Sequence, residues 1–410
     1  MKFTLIAEQL FDGEAFHRDV PVTIEDGLIA SLDTASGAKE IRYPGTLVPG
    51  FIDVQVNGGG GALFNSSPTV ACIETIGKAH ARFGTTGFLP TLITDNVQVM
   101  AKAADAVALA VAQKSAGVLG VHFEGPHLSV PKKGVHPQGF IREITEAELA
   151  IFCRQDLGIR VVTLAPENVS PEVIRLLVAS GVKVCLGHSN ADYDTVVAAL
   201  AAGATGFTHL YNAMSPLGSR EPGVVGAAIE SETAWCGLIV DGHHVHPLAA
   251  KLALAAKPRG KLLLVTDAMS PVGTTDTEFA FFDGKVFRDG NKLTIETGQL
   301  AGSVLDMAGA VQYAVAALGV ERRFHVRGND VGDVDHPACE GRELLRQRRR
   351  REQRRQRGEE KRDGAHAAAS VGRGGRGRRG GVVVGAGSGR NRCRTRRRHV
   401  ERGGDFGAGG

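Results

Sequence analysis

The 410-residue chain has no CxxC pair, no apolar run long enough to cross a membrane and no GxGxxG turn, and each absence removes a class of protein. Its six cysteines (Cys72, Cys153, Cys185, Cys236, Cys339, Cys393) are scattered, four of them in apolar or strand-like surroundings. That usage suits reduced thiols in the cytosol better than a disulfide framework. The opening MKFTLIAEQLFDGEAF is interrupted by Glu8, Asp12 and Glu14 before any hydrophobic signal region forms, so a soluble cytoplasmic protein with no membrane partner is expected. The run Asn57-Gly58-Gly59-Gly60-Gly61 lacks the spacing of a dinucleotide-binding turn, which counts against a doubly wound open sheet. No internal repeat of fixed period is visible.

What is present divides the chain in three. Residues 1–46 alternate apolar and polar positions in short runs, with a turn at Glu25-Asp26-Gly27, and read as a small antiparallel β-domain. Over 47–320, eight apolar, β-rich runs recur: TLVPGFIDVQV, TTGFLPTLIT, GVLGVHFEG, IRVVTLAPE, VKVCLGHS, ATGFTHLY, WCGLIVDGHHV and KLLLVTDAM. Helix-compatible stretches lie between them at 69–82, 97–115, 145–154, 171–180, 192–202, 246–256 and 303–318. Strands that are continuously apolar are buried on both faces, as in a parallel sheet covered by helices. Eight such units match the usual size of a (β/α)8 TIM barrel. The stretch 278–302, with Asp283-Gly284 and Asp289-Gly290, reads as a β-hairpin excursion before the last helix. Residues 321–410 form the third region, an Arg/Gly-rich, low-complexity tail.

Charge sharpens that division. Residues 1–320 hold 23 basic against 32 acidic side chains, whereas 321–410 hold 25 against 12, including 24 of the 34 arginines and a single lysine. The overall net charge of +4 therefore describes the tail and not the globular part.

Five of the strand-like runs end in side chains able to bind a metal or a proton: HFEGPH, LGHSNA, THLYNAM, VDGHHVH and LVTDAMS. In a β/α barrel such ends converge on one pocket, so residues distant in sequence can meet around one ion. Glu124, His188 and His209 would supply one carboxylate and two imidazoles, a donor set common in catalytic zinc sites, although each residue alone could equally be a satisfied buried side chain. Asp267 follows LLLVT, where an unpaired carboxylate is costly; it either assists a metal-activated water as general acid/base or caps the next segment.

At these residues the chain resembles the N-acetylglucosamine-6-phosphate deacetylases of the amidohydrolase superfamily. The resemblance runs to about residue 320 through PGFIDVQVNGGGG, HFEGPHLSVPKKGVHPQGF, LGHSNADYD, THLYNAMSPLGSREPG, DGHHVH, LVTDAM and LAGS. It implies that Glu124, His188 and His209 hold one divalent metal ion per subunit, zinc first, with iron, cobalt or manganese as alternatives. It further implies that Asp267 is the general acid/base and that His136 contacts the acetamide carbonyl. Asn212, Ala213, Arg220 and His244 would contact the sugar phosphate, in part across a homodimer interface. Where many amidohydrolases carry His-x-His for a second metal, this chain has Gln55 and Asn57, and amides are poorer ligands, so a single-metal site is implied. His122 is expected to back the site, while His17, His80, His127, His243 and His246 are expected to be structural or exposed.

The expected reaction is hydrolysis of N-acetyl-D-glucosamine 6-phosphate to D-glucosamine 6-phosphate and acetate. Alternatives are another amidohydrolase specificity, N-acetylgalactosamine 6-phosphate or a cyclic amide, or an inactive fold that binds nucleic acid through its basic tail. After Val320 the resemblance stops. The favoured reading of the tail is out-of-frame translation of a GC-rich gene, which yields Arg, Gly, Ala and Val in excess and displaces strands of the small β-domain. Such a composition also favours disorder.

Overall fold

The computed structural model describes residues 1–32, 37 and 39–320. The expectations for 321–410, a disordered or out-of-frame basic segment, lie outside the described residues.

The N-terminal sheet contains β1 (Lys2–Phe11), β2 (Phe16–Arg18), β3 (Pro21–Glu25), β4 (Leu28–Leu32) and β5 (Lys39–Leu47). Strand β1 pairs antiparallel with β2 and β3. Its other partner, β5, runs parallel to it, a departure from the all-antiparallel expectation. The turn between β3 and β4 places Asp26 and Gly27 at φ +52° and +84°, the left-handed pair that a tight two-residue hairpin requires. Leu10, Val20, Val22 and Leu32 form its small core.

The barrel follows. Strand β6 (Phe51–Val56) leads into a two-residue ribbon, β7 (Gly58–Gly59) with β8 (Ala62–Leu63). The succeeding units are α1 (Val70–Ala81), β9 (Thr85–Ile93), α2 (Val97–Ala112), β10 (Gly120–Glu124), α3 (Glu146–Phe152), β11 (Ile159–Leu164), α4 (Pro171–Ala179) and β12 (Lys183–Leu186). Next come α5 (Tyr193–Ala201), β13 (Gly206–Phe207), α6 (Gly223–Glu230), β14 (Trp235–Leu238), α7 (Pro247–Ala256) and β15 (Leu262–Leu264). The eight strands β6, β9, β10, β11, β12, β13, β14 and β15 hydrogen-bond in that order, all parallel. The ring closes beyond β15. There Val56 bridges Ala268 in parallel, and the Asp267 amide donates to the Gln55 carbonyl at 3.0 Å. The expected (β/α)8 barrel is the fold.

Alternation along the strands sorts the core into two layers. Val54, Leu89, Val161, Cys185, Trp235 and Val265 fill the lumen, while Val121, Phe123, Val184, Leu186 and Phe207 face the helices. Gly206 is required by this packing, because a Cβ there would lie 2.5 Å from the Trp235 indole. The helices start where capping chemistry predicts: Asn96, Asp192 and Asp306 each accept from a backbone amide three residues on, and Thr145 with Glu148 forms a capping box.

Helix α6 is absent from the expected set. Its sequence GVVGAAIE has two glycines and three β-branched residues, a weak intrinsic helix former that burial of Val224, Val225, Ala227 and Ala228 holds in place. The excursion after β15 is a three-stranded antiparallel meander, β16 (Glu278–Phe281), β17 (Gly284–Asp289) and β18 (Lys292–Ile295), so the expected hairpin has one strand more. Helix α8 (Met307–Leu318) completes the described chain. Among the described residues, Cys72, Cys153, Cys185 and Cys236 are free thiols.

Candidate metal and acid–base site

Glu124 is the last residue of β10, and alternation with the outward Val121 and Phe123 turns it into the lumen. His188, His209 and Asp267 stand just beyond β12, β13 and β15. All three leave their strands through the left-handed region, at φ +47°, +34° and +52°. Such a conformation costs a side-chain-bearing residue on the order of 1–3 kcal/mol and is found where a site needs a side chain re-aimed.

The re-aiming brings three donors together. Glu124 Oε1 lies 2.9 Å from His209 Nε2 and 3.2 Å from His188 Nε2, and the two ring nitrogens are 2.9 Å apart. All three residues are buried. His188 Nδ1 donates to the Lys132 carbonyl at 2.8 Å, which fixes the ring and leaves Nε2 facing the cluster. Burial alone would raise the Glu124 pKa, but its bonds to His188 and His209 hold it well below the usual carboxylate range. Glu124 in turn raises the His209 pKa against the effect of burial. A buried carboxylate oxygen and two imidazole nitrogens converging on one point are a donor set that could hold a cation, and the O/N/N chemistry fits a divalent metal.

Asp267 lies beside this cluster. Its Oδ1 accepts from Asn57 Nδ2 at 2.6 Å and from Gln55 Nε2 at 3.1 Å, and the same Gln55 amide donates to both Glu124 oxygens at 3.1 Å. Gln55 and Asn57 therefore turn N–H groups, not lone pairs, toward the carboxylates. Burial raises the Asp267 pKa, and the Glu124 charge adds to the rise. Asp267 caps no helix; that role at α8 belongs to Asp306.

Above the cluster opens a cavity of about 370 Å³, lined among others by His136, Asn212, Ala213 and His244. His136 packs against the His188 ring at 4.3 Å between centroids, and its Nδ1 is 2.8 Å from Thr94 Oγ1. Burial first, then the neighbouring His188, pushes the His136 pKa well below its ordinary value, so this imidazole is neutral. His244 Nδ1 bonds Asp241 Oδ2 at 2.6 Å. Burial works against the Asp241 charge, but His244 and the amides of His243 and His244 bring its pKa down to about 2.

Arg220 stands apart from these residues. It is exposed on the loop before α6 and is not among the residues lining the cavity of its own chain, so the described chain does not bring it to the other site residues. His122 is buried two residues below Glu124 yet touches neither ligand nor cavity. It spans Val54 O at 2.9 Å and Thr163 Oγ1 at 2.7 Å, and burial lowers its pKa to about 4. His80 and His127 are buried structural histidines, and His246 caps α7. Cavity-lining Lys132, Gln299, Leu300 and Gly302 were not singled out from sequence, although they fall within or beside the quoted motifs PKKG and LAGS.

Comparison with known proteins agrees with this geometry. The model of the Amidohydrolase family matches residues 46–325. An N-acetylgalactosamine-6-phosphate deacetylase of Shewanella sp. (strain ANA-3) is 56% identical over 306 residues, covering 73% of this chain and 78% of the relative. An N-acetylglucosamine-6-phosphate deacetylase of Bacillus subtilis (strain 168) is 38% identical over 300 residues, covering 70% and 75%. Among solved structures, N-acetylglucosamine-6-phosphate deacetylase from Pasteurella multocida superposes with a TM-score of 0.76 at 33% identity, covering 79% of this chain and 87% of that one. Enzymes of this family use a divalent metal, and Glu124, His188 and His209 form a group here that could hold one. The chain belongs to the amidohydrolase family and is a hydrolase.

Proposed function

We propose that this chain removes the acetyl group of an N-acetylamino-sugar 6-phosphate, with N-acetyl-D-glucosamine 6-phosphate giving D-glucosamine 6-phosphate and acetate. The observation that carries the reading is the convergence of Glu124, His188 and His209 beside the buried, hydrogen-bonded Asp267, in a chain whose relatives bear deacetylase names.

Glu124, His188 and His209 would hold one ion, zinc first on the strength of the O/N/N donor set. When bound, such an ion polarises an amide carbonyl and lowers the pKa of a coordinated water. The amide N–H groups of Gln55 and Asn57 favour a single ion, since they satisfy the carboxylates where a second cation would otherwise be needed. Asp267 takes a proton on its carboxylate and returns it to the departing amine; its raised pKa suits both halves of that duty. His136, neutral and tethered at Nδ1, presents Nε2 to the acetamide oxygen as charge develops there. Asn212, Ala213 and His244 receive the sugar. Arg220, exposed and off its own cavity, reaches the phosphate from the other subunit of a homodimer. A cytoplasmic location accords with free cysteines and a phosphorylated substrate.

The 56% identical Shewanella relative favours a second reading, in which N-acetylgalactosamine 6-phosphate, the C4 epimer, is the better substrate. Acetate release from both epimers, from their unphosphorylated forms and from a cyclic amide decides between them. The proposal expects turnover of one or both phosphorylated sugars at far higher kcat/KM than the others. Turnover of the cyclic amide alone, or salt-dependent DNA binding with no hydrolysis, would overturn it.

A further inference from the structure

The backbone of Asp267 is held on both sides. Before it, Thr266 donates its hydroxyl to Asp53 Oδ2 at 2.5 Å, and its amide lies 3.4 Å from Asp53 Oδ1. After it, the Ser303 amide donates to the Asp267 carbonyl at 2.9 Å, and Ser303 Oγ donates to the Thr266 carbonyl at 2.6 Å. Asp53, Thr266 and Ser303 are 0%, 0% and 1% exposed. Asp53 has no cationic partner among the described residues; its other bond is from the Gln55 amide at 3.2 Å.

These contacts lie on the seam of the barrel, where β15 has ended at Leu264 and the ring closes through the Val56–Ala268 bridge and the bond from the Asp267 amide to the Gln55 carbonyl. They also lie beside a residue at φ +52°. A left-handed residue persists only where its surroundings over-determine it, and a wholly buried, unpaired carboxylate is costly unless its hydrogen bonds serve a purpose. Gly302 belongs to the same arrangement. At φ +60°, it lets the cavity wall approach so closely that a Cβ would meet the Asp267 carbonyl at 2.9 Å.

We infer that Asp53, Thr266 and Ser303 are positioning residues, a buried clamp across the barrel seam that holds the Asp267 carboxylate in the orientation its proton transfer requires. The inference rests on the reading of Asp267 as the proton carrier. The clamp touches none of Glu124, His188 and His209, so it acts on proton transfer and not on metal retention.

The test pairs Thr266→Val, which removes the hydroxyl at nearly constant shape, with Thr266→Ser, which keeps it. In the full chain, kcat should fall by about 10- to 100-fold in Thr266→Val, the scale of loss that a misplacement near 1 Å produces. KM and bound metal should be little changed, and Thr266→Ser should restore most of kcat. Hydrogen exchange at the Asp267 amide should quicken in Thr266→Val and Ser303→Ala but not in Thr266→Ser, a readout that needs no turnover. Unchanged exchange with unchanged kcat in Thr266→Val, or equal losses in the Val and Ser variants, would overturn the clamp. Asp267→Asn separates the two claims: an active Asp267→Asn defeats the proton-carrier reading and the clamp with it, whereas an inactive one beside a fully active Thr266→Val defeats the clamp alone.

Discussion

Barrel strands β9 through β14 are each bonded on both edges, and the ring closes beyond β15 at Val56 and Ala268. The N-terminal sheet differs. Among the described residues, its nine-residue strand β5 bonds only β1, and it leaves Ile41 40% and Tyr43 56% exposed. An open edge beside uncovered apolar side chains is an association hazard, whereas a closed barrel has no edge to offer. Site and hazard are thus carried by different parts of the chain. Every residue proposed to touch metal or proton belongs to the closed barrel, and defects of the small sheet should act on solubility before they act on chemistry.

That separation can be broken from the barrel side first. His188→Ala or His209→Ala should abolish nearly all metal binding and activity, measured by metal analysis of the purified chain, because each removes a donor from a three-donor set. Asp267→Asn should retain the metal and lower kcat by about 10² to 10⁴, the usual cost of losing a general acid/base. Full kcat in that variant would remove the proton carrier from the account. Arg220→Ala should raise KM for the phosphorylated sugar while sparing the unphosphorylated one, since a charged fork is lost only where a phosphate was bound. Equal losses on both would argue against a phosphate role.

The small sheet should give the weakest catalytic effects and the clearest solubility effects. Ile41→Lys with Tyr43→Lys should slow aggregation, followed by light scattering, and leave kcat/KM close to wild type. A large loss of turnover in this pair would show that the sheet supports the site after all. Replacing 321–410 by the translation of an alternative reading frame should improve soluble yield, and deleting those residues should not, because deletion supplies no strand to cover β5. Equal improvement from both would contradict the out-of-frame reading.

Much of this was legible in the sequence, for local reasons. Continuous apolar runs marked all eight barrel strands because parallel strands are buried on both faces, and chemistry-bearing residues at their ends marked the site because barrel strands all point one way. Other features depend on contacts that local pattern does not encode. Helix α6 was hidden by glycine and β-branched residues that only tertiary burial keeps helical. The exposure of Arg220 follows from how its loop lies on the barrel. The Asp53–Thr266 bond joins residues 213 apart, and only closure of the ring makes them neighbours.

The central claim is that Glu124, His188, His209 and Asp267 make a metal-dependent amide hydrolase for amino-sugar phosphates. Its most direct test strips metal from the purified chain with a chelator, restores zinc stepwise and measures acetate released from N-acetyl-D-glucosamine 6-phosphate and its C4 epimer. The account predicts no release from the stripped chain and a return of activity that saturates at one ion per chain. Activity that survives stripping, or a soluble, zinc-loaded chain that releases no acetate from either sugar, would contradict it.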